Sequence, residues 1–223
     1  MKGSDFMKKG MRNWLISAGI CGGLFLTLIV LLLTVDVGYA VPHAPVGLST
    51  INGFVFEAIG ENSEWEMISF VLLIISVLLM CAQGLCIFMK MIRTRKLWEM
   101  VAVGHAWFFV LVFYILFEFC IVNYRPILED GELAASFPSS HTLIAVVLFG
   151  VFTVWLAYRL PKAFWKHLLI GALCAMALAA ALARLMTGVH WLTDVLGGML
   201  LGGMIVSLCG VGFSYLRAKE KDE

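Results

Sequence analysis

Six apolar stretches of about the length needed to cross a bilayer constrain this chain more than any other feature. They run from Trp14 to Val35, Met67 to Met89, Met100 to about Val122, Thr142 to Tyr158, Leu168 to about Met186, and Trp191 to Leu216. A helix needs about 20 apolar residues to traverse the hydrocarbon core, with a range of about 17–25. The fourth and fifth stretches are short on this measure. Composition agrees with the count of spans. Hydrophobic residues make up 61% of the chain and charged residues 14%, where soluble domains have about 45–50% and about 25%. No strand-like alternation and no soluble domain is visible. The expected fold is all-α: a polytopic membrane protein, a six-transmembrane-helix bundle forming a single membrane-embedded domain over 1–223.

The first stretch has a competing reading. Lys2, Lys8, Lys9 and Arg12 precede it and Gly38-Tyr39-Ala40 follows it, as in a signal peptide. Its apolar run exceeds the about 7–15 residues of such peptides, so a retained membrane anchor is expected.

Lys and Arg set the orientation, because cytoplasmic loops carry the excess of both. With six spans and an internal N-terminus, the internal segments are 1–13, 90–99, 159–167 and 217–223. They hold all sixteen basic residues except Arg125 and Arg184. Both termini are therefore expected in the cytoplasm of a cell-membrane protein. The two exceptions fall in polar islands on the opposite, extracytoplasmic face. Cys21, Cys81, Cys86, Cys120, Cys174 and Cys209 all lie in or beside apolar runs, which argues for reduced, buried thiols and against a disulfide framework. The segment Val37 to Glu66 is expected to be an ordered external loop capping the bundle, with Phe54 and Phe56 on a short helix at the lipid interface.

Small residues mark the last two spans. The fifth is alanine-rich, and the sixth carries Gly197-Gly198 and Gly202-Gly203. Such residues let membrane helices approach closely. The Gly198-x-x-x-Gly202 face can serve packing within the chain or a homodimer, and both uses stay open.

The first polar island runs from Asn123 to Thr142 and the second from Ala183 to Asp194. Ionisable groups at membrane depth are costly and are usually paired or functional. Asp194 follows His190 by one helical turn, so on a helix the two share a face. The carboxylate would then accept the imidazole N–H, leaving the other ring nitrogen as nucleophile or base. Arg125 and Arg184 present planar forks suited to phosphate oxygens, unless carboxylates at Glu118, Glu129, Asp130 or Glu132 take them up. Pro138, Ser139 and Ser140 stand where the fourth span begins. A helix start offers unpaired N–H groups and a positive dipole end, and so suits an anion. His141, in the first turn, is placed to protonate a leaving oxygen. Arginines beside the histidines oppose a bound cation, so neither metal nor other cofactor is expected.

Taken together, Arg125-Pro126, Pro138-Ser139-Ser140-His141, and Arg184 with five residues before His190 and three more before Asp194 resemble the type 2 phosphatidic acid phosphatase superfamily. Its motifs read K-x(6)-R-P, P-S-G-H and S-R-x(5)-H-x(3)-D. The resemblance covers the third to sixth spans, with a catalytic core at about 118–195. It implies His190 as nucleophile forming a phosphohistidine, Asp194 as its orienting partner, and His141 as general acid. It also implies Arg125, Ser139, Ser140 and Arg184 as the phosphate cradle. Three positions depart from the pattern: Ser140 replaces Gly, Ala183 replaces Ser, and Glu118 stands in place of the first-motif Lys. A carboxylate does not bind phosphate as an ammonium does. A salt bridge from Glu118 to Arg125 or Arg184 is the favoured reading, with binding of a substrate hydroxyl or amine as the auxiliary role.

The implied activity is metal-independent hydrolysis of a lipid phosphomonoester or pyrophosphate at the extracytoplasmic face. Polyprenyl pyrophosphate, phosphatidylglycerol phosphate and phosphatidic acid all suit a site at headgroup depth. Its partners are that substrate and membrane lipids, with no nucleic acid. Two other readings stand beside it: a head-group phosphotransferase, and a non-catalytic transporter or scaffold with a degenerate site.

Overall fold

The computed structural model describes residues 2–41, 44–128, 131–161 and 163–222. Glu129 and Asp130, two of the carboxylates open to the arginines, and Lys162, in a segment expected on the cytoplasmic side, lie outside them. Seven helices and one hairpin follow in order along the described residues: α1 (Lys2–Thr34), β1 (Gly38–Val41), β2 (Ala44–Val46), α2 (Ser49–Ile59), α3 (Ser63–Thr94), α4 (Trp98–Phe119), α5 (Ser140–Arg159), α6 (Phe164–Met186) and α7 (Leu192–Asp222). The six long helices carry the six apolar stretches. Flanking residues extend the two short ones, so that α5 reaches 20 residues and α6 reaches 23. All six are long and apolar enough to cross a membrane. The multi-pass, all-helical architecture is thus as expected, apart from the hairpin. Its strands of four and three residues are too short for alternation to show.

Local chemistry sets several helix ends. Asn62 caps α3 by accepting the Glu64 N–H at 3.0 Å, and Glu64 and Glu66 complement the positive end of the helix. At its other end Arg95 closes the helix in the left-handed region, with φ 57°.

Helices α5 and α7 form the centre. Half of the apolar window in each is buried, against 17% in α1, α3 and α4. The outer helices present Leu, Ile and Phe outward, which costs nothing where the surroundings are lipid tails. Glycines on α7 permit the close packing. A Cβ at Gly198 would lie 2.8 Å from the Ser139 carbonyl oxygen, and one at Gly202 would lie 2.8 Å from Val146. The Gly198-x-x-x-Gly202 face is therefore occupied by α5 of the same chain. On the far side of α7, Gly203 faces Cys21 and Gly210 faces the Trp14 ring, so α1 is packed into the bundle. The alanines of α6 do the equivalent against α5 and α3, with Ala180, Ala181 and Ala183 buried. All six cysteines are free thiols, but only Cys209 is buried; Cys81, Cys86, Cys120 and Cys174 are exposed. The expected burial fails because those four lie on outward-facing helix surfaces or at a helix end.

The two ends of the bundle differ. At the end away from the islands, buried Glu99 on α4 accepts hydrogen bonds from Lys90 on α3, from Arg159 Nε and Nη2 on α5 at 3.0 and 2.7 Å, and from Trp155 Nε1 at 3.3 Å. At the island end the hairpin and α2 fold over the bundle. Asn52, wholly buried, donates to Gly47 O and Thr193 Oγ1, both at 2.9 Å, and accepts from Thr193 N at 3.3 Å. Gly47 N–H donates to Asn123 Oδ1 at 3.0 Å. Phe56 packs edge-on to Trp191, with ring centres 5.6 Å apart. Of the two phenylalanines expected at the lipid interface, Phe54 is 72% exposed and Phe56 turns inward. Gly188, at φ 73°, passes so close to Gly60 that a Cβ would sit 2.2 Å from its carbonyl oxygen.

Between the ends, Phe137 fills the seam of α1, α4 and α7. Its ring stacks on Phe25 at 5.6 Å and meets Phe117 edge-on at 6.0 Å. Gly197 leaves the room it needs, since a Cβ there would lie 2.3 Å from the ring.

Candidate active site

The connection from α4 to α5 folds back on itself before entering the helix. Arg125 N–H donates to Ala134 O at 3.1 Å and Ser136 N–H to Asn123 O at 2.9 Å, around an antiparallel bridge between Tyr124 and Ala135. This short pairing sets Arg125 beside Ser136, and Phe137 then pins the chain into the bundle. Ser139 is the N-cap of α5. Its wholly buried hydroxyl accepts from Thr142 N at 3.5 Å and Thr142 Oγ1 at 3.1 Å. Its N–H donates to Asp194 O at 3.0 Å, a direct tie between the islands. A second tie runs from Trp191 Nε1 to Tyr124 O at 2.7 Å.

The second island is a turn joining α6 to α7. Arg184 is in the last turn of α6, and Asp194 is in the first turn of α7. Asp194 Oδ2 accepts the Trp191 N–H at 2.9 Å, as the acidic member of a capping box does. His190 precedes the helix, so it does not share a helical face with Asp194. Its Nδ1 is 3.6 Å from Asp194 Oδ2, beyond the about 2.7–3.2 Å of a hydrogen bond. Ser136 stands between them. Its Oγ lies 3.2 Å from His190 Nδ1 and donates to Asp194 Oδ2. On the other edge of the ring, Nε2 is 3.4 Å from Arg184 Nη2. A guanidinium has donors only, so Nε2 presents its lone pair and the proton belongs on Nδ1.

Burial holds the His190 imidazole below its usual pKa. Asp194 opposes that shift, and Arg184 and Arg125 add to it. These surroundings favour the neutral ring, with its lone pair on Nε2. His141, half-buried in the first turn of α5, is within electrostatic reach of Arg184, His190 and Arg125.

A cavity of about 270 Å³ opens beside this cluster. Arg125, Ser136, Ser140 and His190 line its polar side, and Phe113, Tyr114, Phe117 and Glu118 of α4 line the other. The chain therefore brings Arg125, Ser140, His190 and Glu118 to one cavity, with Arg184 and Asp194 against His190. Ser139 caps the helix behind it. Glu118 is exposed and forms no ion pair among the described residues. The expected salt bridge is not made. Arg125 is held by its strand pairing and by Nε donating to Ala135 O at 3.4 Å. Among the described residues, no three His, Cys, Asp or Glu side chains are grouped to hold a metal.

Two site residues carry no sequence signal. Ser136 lies one position before Phe137-Pro138, and only the fold-back of its loop brings it to the imidazole. Asn52 is more than a hundred positions from Thr193, on α2, and nothing in the sequence around it marks that partner.

Residues 117–217 match the model of the PAP2 superfamily. Phosphatidylglycerophosphatase B of Bacillus subtilis (strain 168) is 32% identical over 88 residues, which are 39% of this chain and 42% of that protein. The alignment thus spans less than half of the relative's length. A crystal structure of a transmembrane PAP2-type phosphatidylglycerolphosphate phosphatase from Bacillus subtilis superposes with a TM-score of 0.61 at 20% identity, over 92% of this chain and 96% of that one. The motif-bearing part of the chain, residues 117–217, thus matches the PAP2 superfamily, and the chain as a whole shares the fold of that crystal structure.

Proposed function

We propose that this protein is a lipid phosphate phosphatase working through a phosphohistidine at His190, with its site on the extracytoplasmic face. One observation carries the reading: the lone pair of His190 Nε2 faces the Arg184 guanidinium, beside a cavity that Arg125 and Ser140 also line. A phosphoryl group in that cavity meets a neutral nucleophile and fixed positive charge together. Nε2 attacks phosphorus, forming an N–P bond as the P–O bond to the lipid breaks. His141 gives its proton to the departing oxygen. Water then attacks phosphorus, its proton passes to His141, and the N–P bond breaks to release phosphate. Arg125, Arg184 and Ser140 at the α5 start meet the charge that develops on the equatorial oxygens, while Ser139, expected in the cradle, has its N–H and hydroxyl engaged behind the cavity and holds the helix start in place. Such preorganised electrostatics is usually the largest part of catalysis. No step calls for a metal.

The aromatic wall from α4 supports a lipid substrate, since it joins the phosphate cavity to a helix that faces the bilayer. The relatives' names put phosphatidylglycerol phosphate first among the candidates, ahead of polyprenyl pyrophosphate and phosphatidic acid. The Glu118 carboxylate in the same cavity favours a second reading, transfer of the phosphoryl group to an acceptor alcohol that it would hold. Release of free phosphate as the sole product, with labelled acceptor present, would rule transfer out.

The deciding experiment assays purified protein against a panel of lipid phosphates and pyrophosphates. His190→Ala is expected to lower phosphate release by several orders of magnitude, about 10⁴-fold or more, and wild-type activity is expected to persist in EDTA. A dependence on added divalent metal would overturn the mechanism. An active His190→Ala variant would overturn it too, and a wild-type protein that releases no phosphate across the panel would favour the transporter or scaffold.

A further inference from the structure

The His190–Asp194 pair is not closed by a direct hydrogen bond. The carboxylate oxygen is 3.6 Å from Nδ1, and the Ser136 hydroxyl bridges the two. All three groups are buried, with Asp194 and Ser136 at 0% and 2% exposure, so no bulk water competes for these contacts. Asp194 Oδ2 is further fixed by the Trp191 N–H at 2.9 Å and cannot easily approach the ring. We infer that Ser136 is a positioning residue for the nucleophile, through which Asp194 acts. His190 Nδ1–H donates to Ser136 Oγ, and the Ser136 O–H donates to Asp194 Oδ2. This inference rests on the phosphohistidine reading proposed above.

The directions of the two bonds are set by what surrounds them. Arg184 occupies the Nε2 edge as a donor, which puts the ring proton on Nδ1. An ionised carboxylate only accepts, so the hydroxyl proton points to Asp194. Between the ring N–H, which donates, and the carboxylate, which accepts, the hydroxyl accepts from one and donates to the other. As the N–P bond forms at Nε2, the ring gains positive charge. The Nδ1–H bond to Ser136 strengthens, and so does the serine's bond to the carboxylate. No proton needs to change owner. Ser136 also lines the cavity, so its backbone attachment is shared with the wall that faces substrate.

The test compares Ser136→Ala, Ser136→Thr and Asp194→Asn, alone and as the Ser136→Ala/Asp194→Asn double variant, with thermal unfolding as the control for folding. Ser136→Ala is expected to lower kcat by about 10- to 100-fold, the worth of one hydrogen bond to a charged group, and Ser136→Thr to restore most of it. The active ring is neutral, so activity falls as pH drops through its pKa. Without the bridge the imidazolium loses stabilisation, and the acid limb of kcat/KM moves to lower pH. In the Asp194→Asn background the serine substitution is expected to add little, because both act along one chain of bonds. Additive losses, or a loss in Ser136→Ala with the acid limb unmoved and no rescue by Ser136→Thr, would overturn the inference and leave Ser136 a structural residue. Wild-type turnover in Ser136→Ala would overturn it too. Those outcomes are distinct from failure of the phosphohistidine reading, which shows as an inactive wild-type protein or an active His190→Ala variant.

Discussion

Glu118 is the residue at which the chemistry of this cavity departs furthest from a simple phosphate cradle. It projects from the end of α4 into a space shared with Arg125 and His190, and it forms no ion pair among the described residues. A carboxylate so placed repels a bare phosphate dianion and favours a substrate or acceptor that brings a hydrogen-bond donor. Glu118→Lys is therefore expected to raise phosphate release from donor-poor lipid phosphates by roughly tenfold, the scale of one charge-assisted hydrogen bond, and to narrow the difference between amine-bearing and amine-free substrates. Unchanged turnover and preference across the panel would remove Glu118 from the account of specificity. At this scale the sequence is informative where chemistry has fixed spacing. Arg184, His190 and Asp194 are legible because one turn between two helices brings them together. Ser136 is not, because its contact depends on backbone pairing between 123–125 and 134–136, which leaves no periodic trace.

Among the elements, α7 carries most of the arrangement. Its first turn holds Asp194, its glycine face takes α5, and Gly197 accepts the ring of Phe137. Gly197→Ala places a methyl group against a ring already confined by Phe25 and Phe117. It is expected to destabilise the fold by about 1–3 kcal/mol, as overpacking does. Because Phe137 lies between Ser136 and the Ser139 cap, activity is expected to fall more than the loss of folded protein accounts for. Thermal unfolding in detergent and kcat per folded molecule separate the two effects. Helix existence was readable from apolar length alone, and boundaries moved outward where polar end residues such as Ser140 and His167 could still continue a helix. The hairpin and the Asn52 clamp were not readable, since their partners are set by tertiary packing.

Across the whole molecule, the two ends are built on different physics. The island end is a mesh of backbone and amide hydrogen bonds, and the other end is organised around one buried carboxylate. Glu99 ties α3, α4 and α5 through Lys90 and Arg159, far from the cavity of His190. Glu99→Gln keeps the shape but leaves two cations facing each other, and is expected to cost about 1.5–3 kcal/mol. Thermal unfolding measures that loss; phosphatase activity per folded molecule is expected to stay at the wild-type level. Apolar length made six spans legible and the charge asymmetry of the loops gave a proposed orientation, because both follow from transfer energies summed over many residues. The Phe137 seat has a further consequence. One face of that ring is supplied by Phe25 on α1, far outside the motif-bearing stretch at about 118–195. The reacting groups are therefore not a module that could be excised or grafted with their motifs. Trimming the first helix would leave every motif residue in the chain and remove the wall that sets their loop in place.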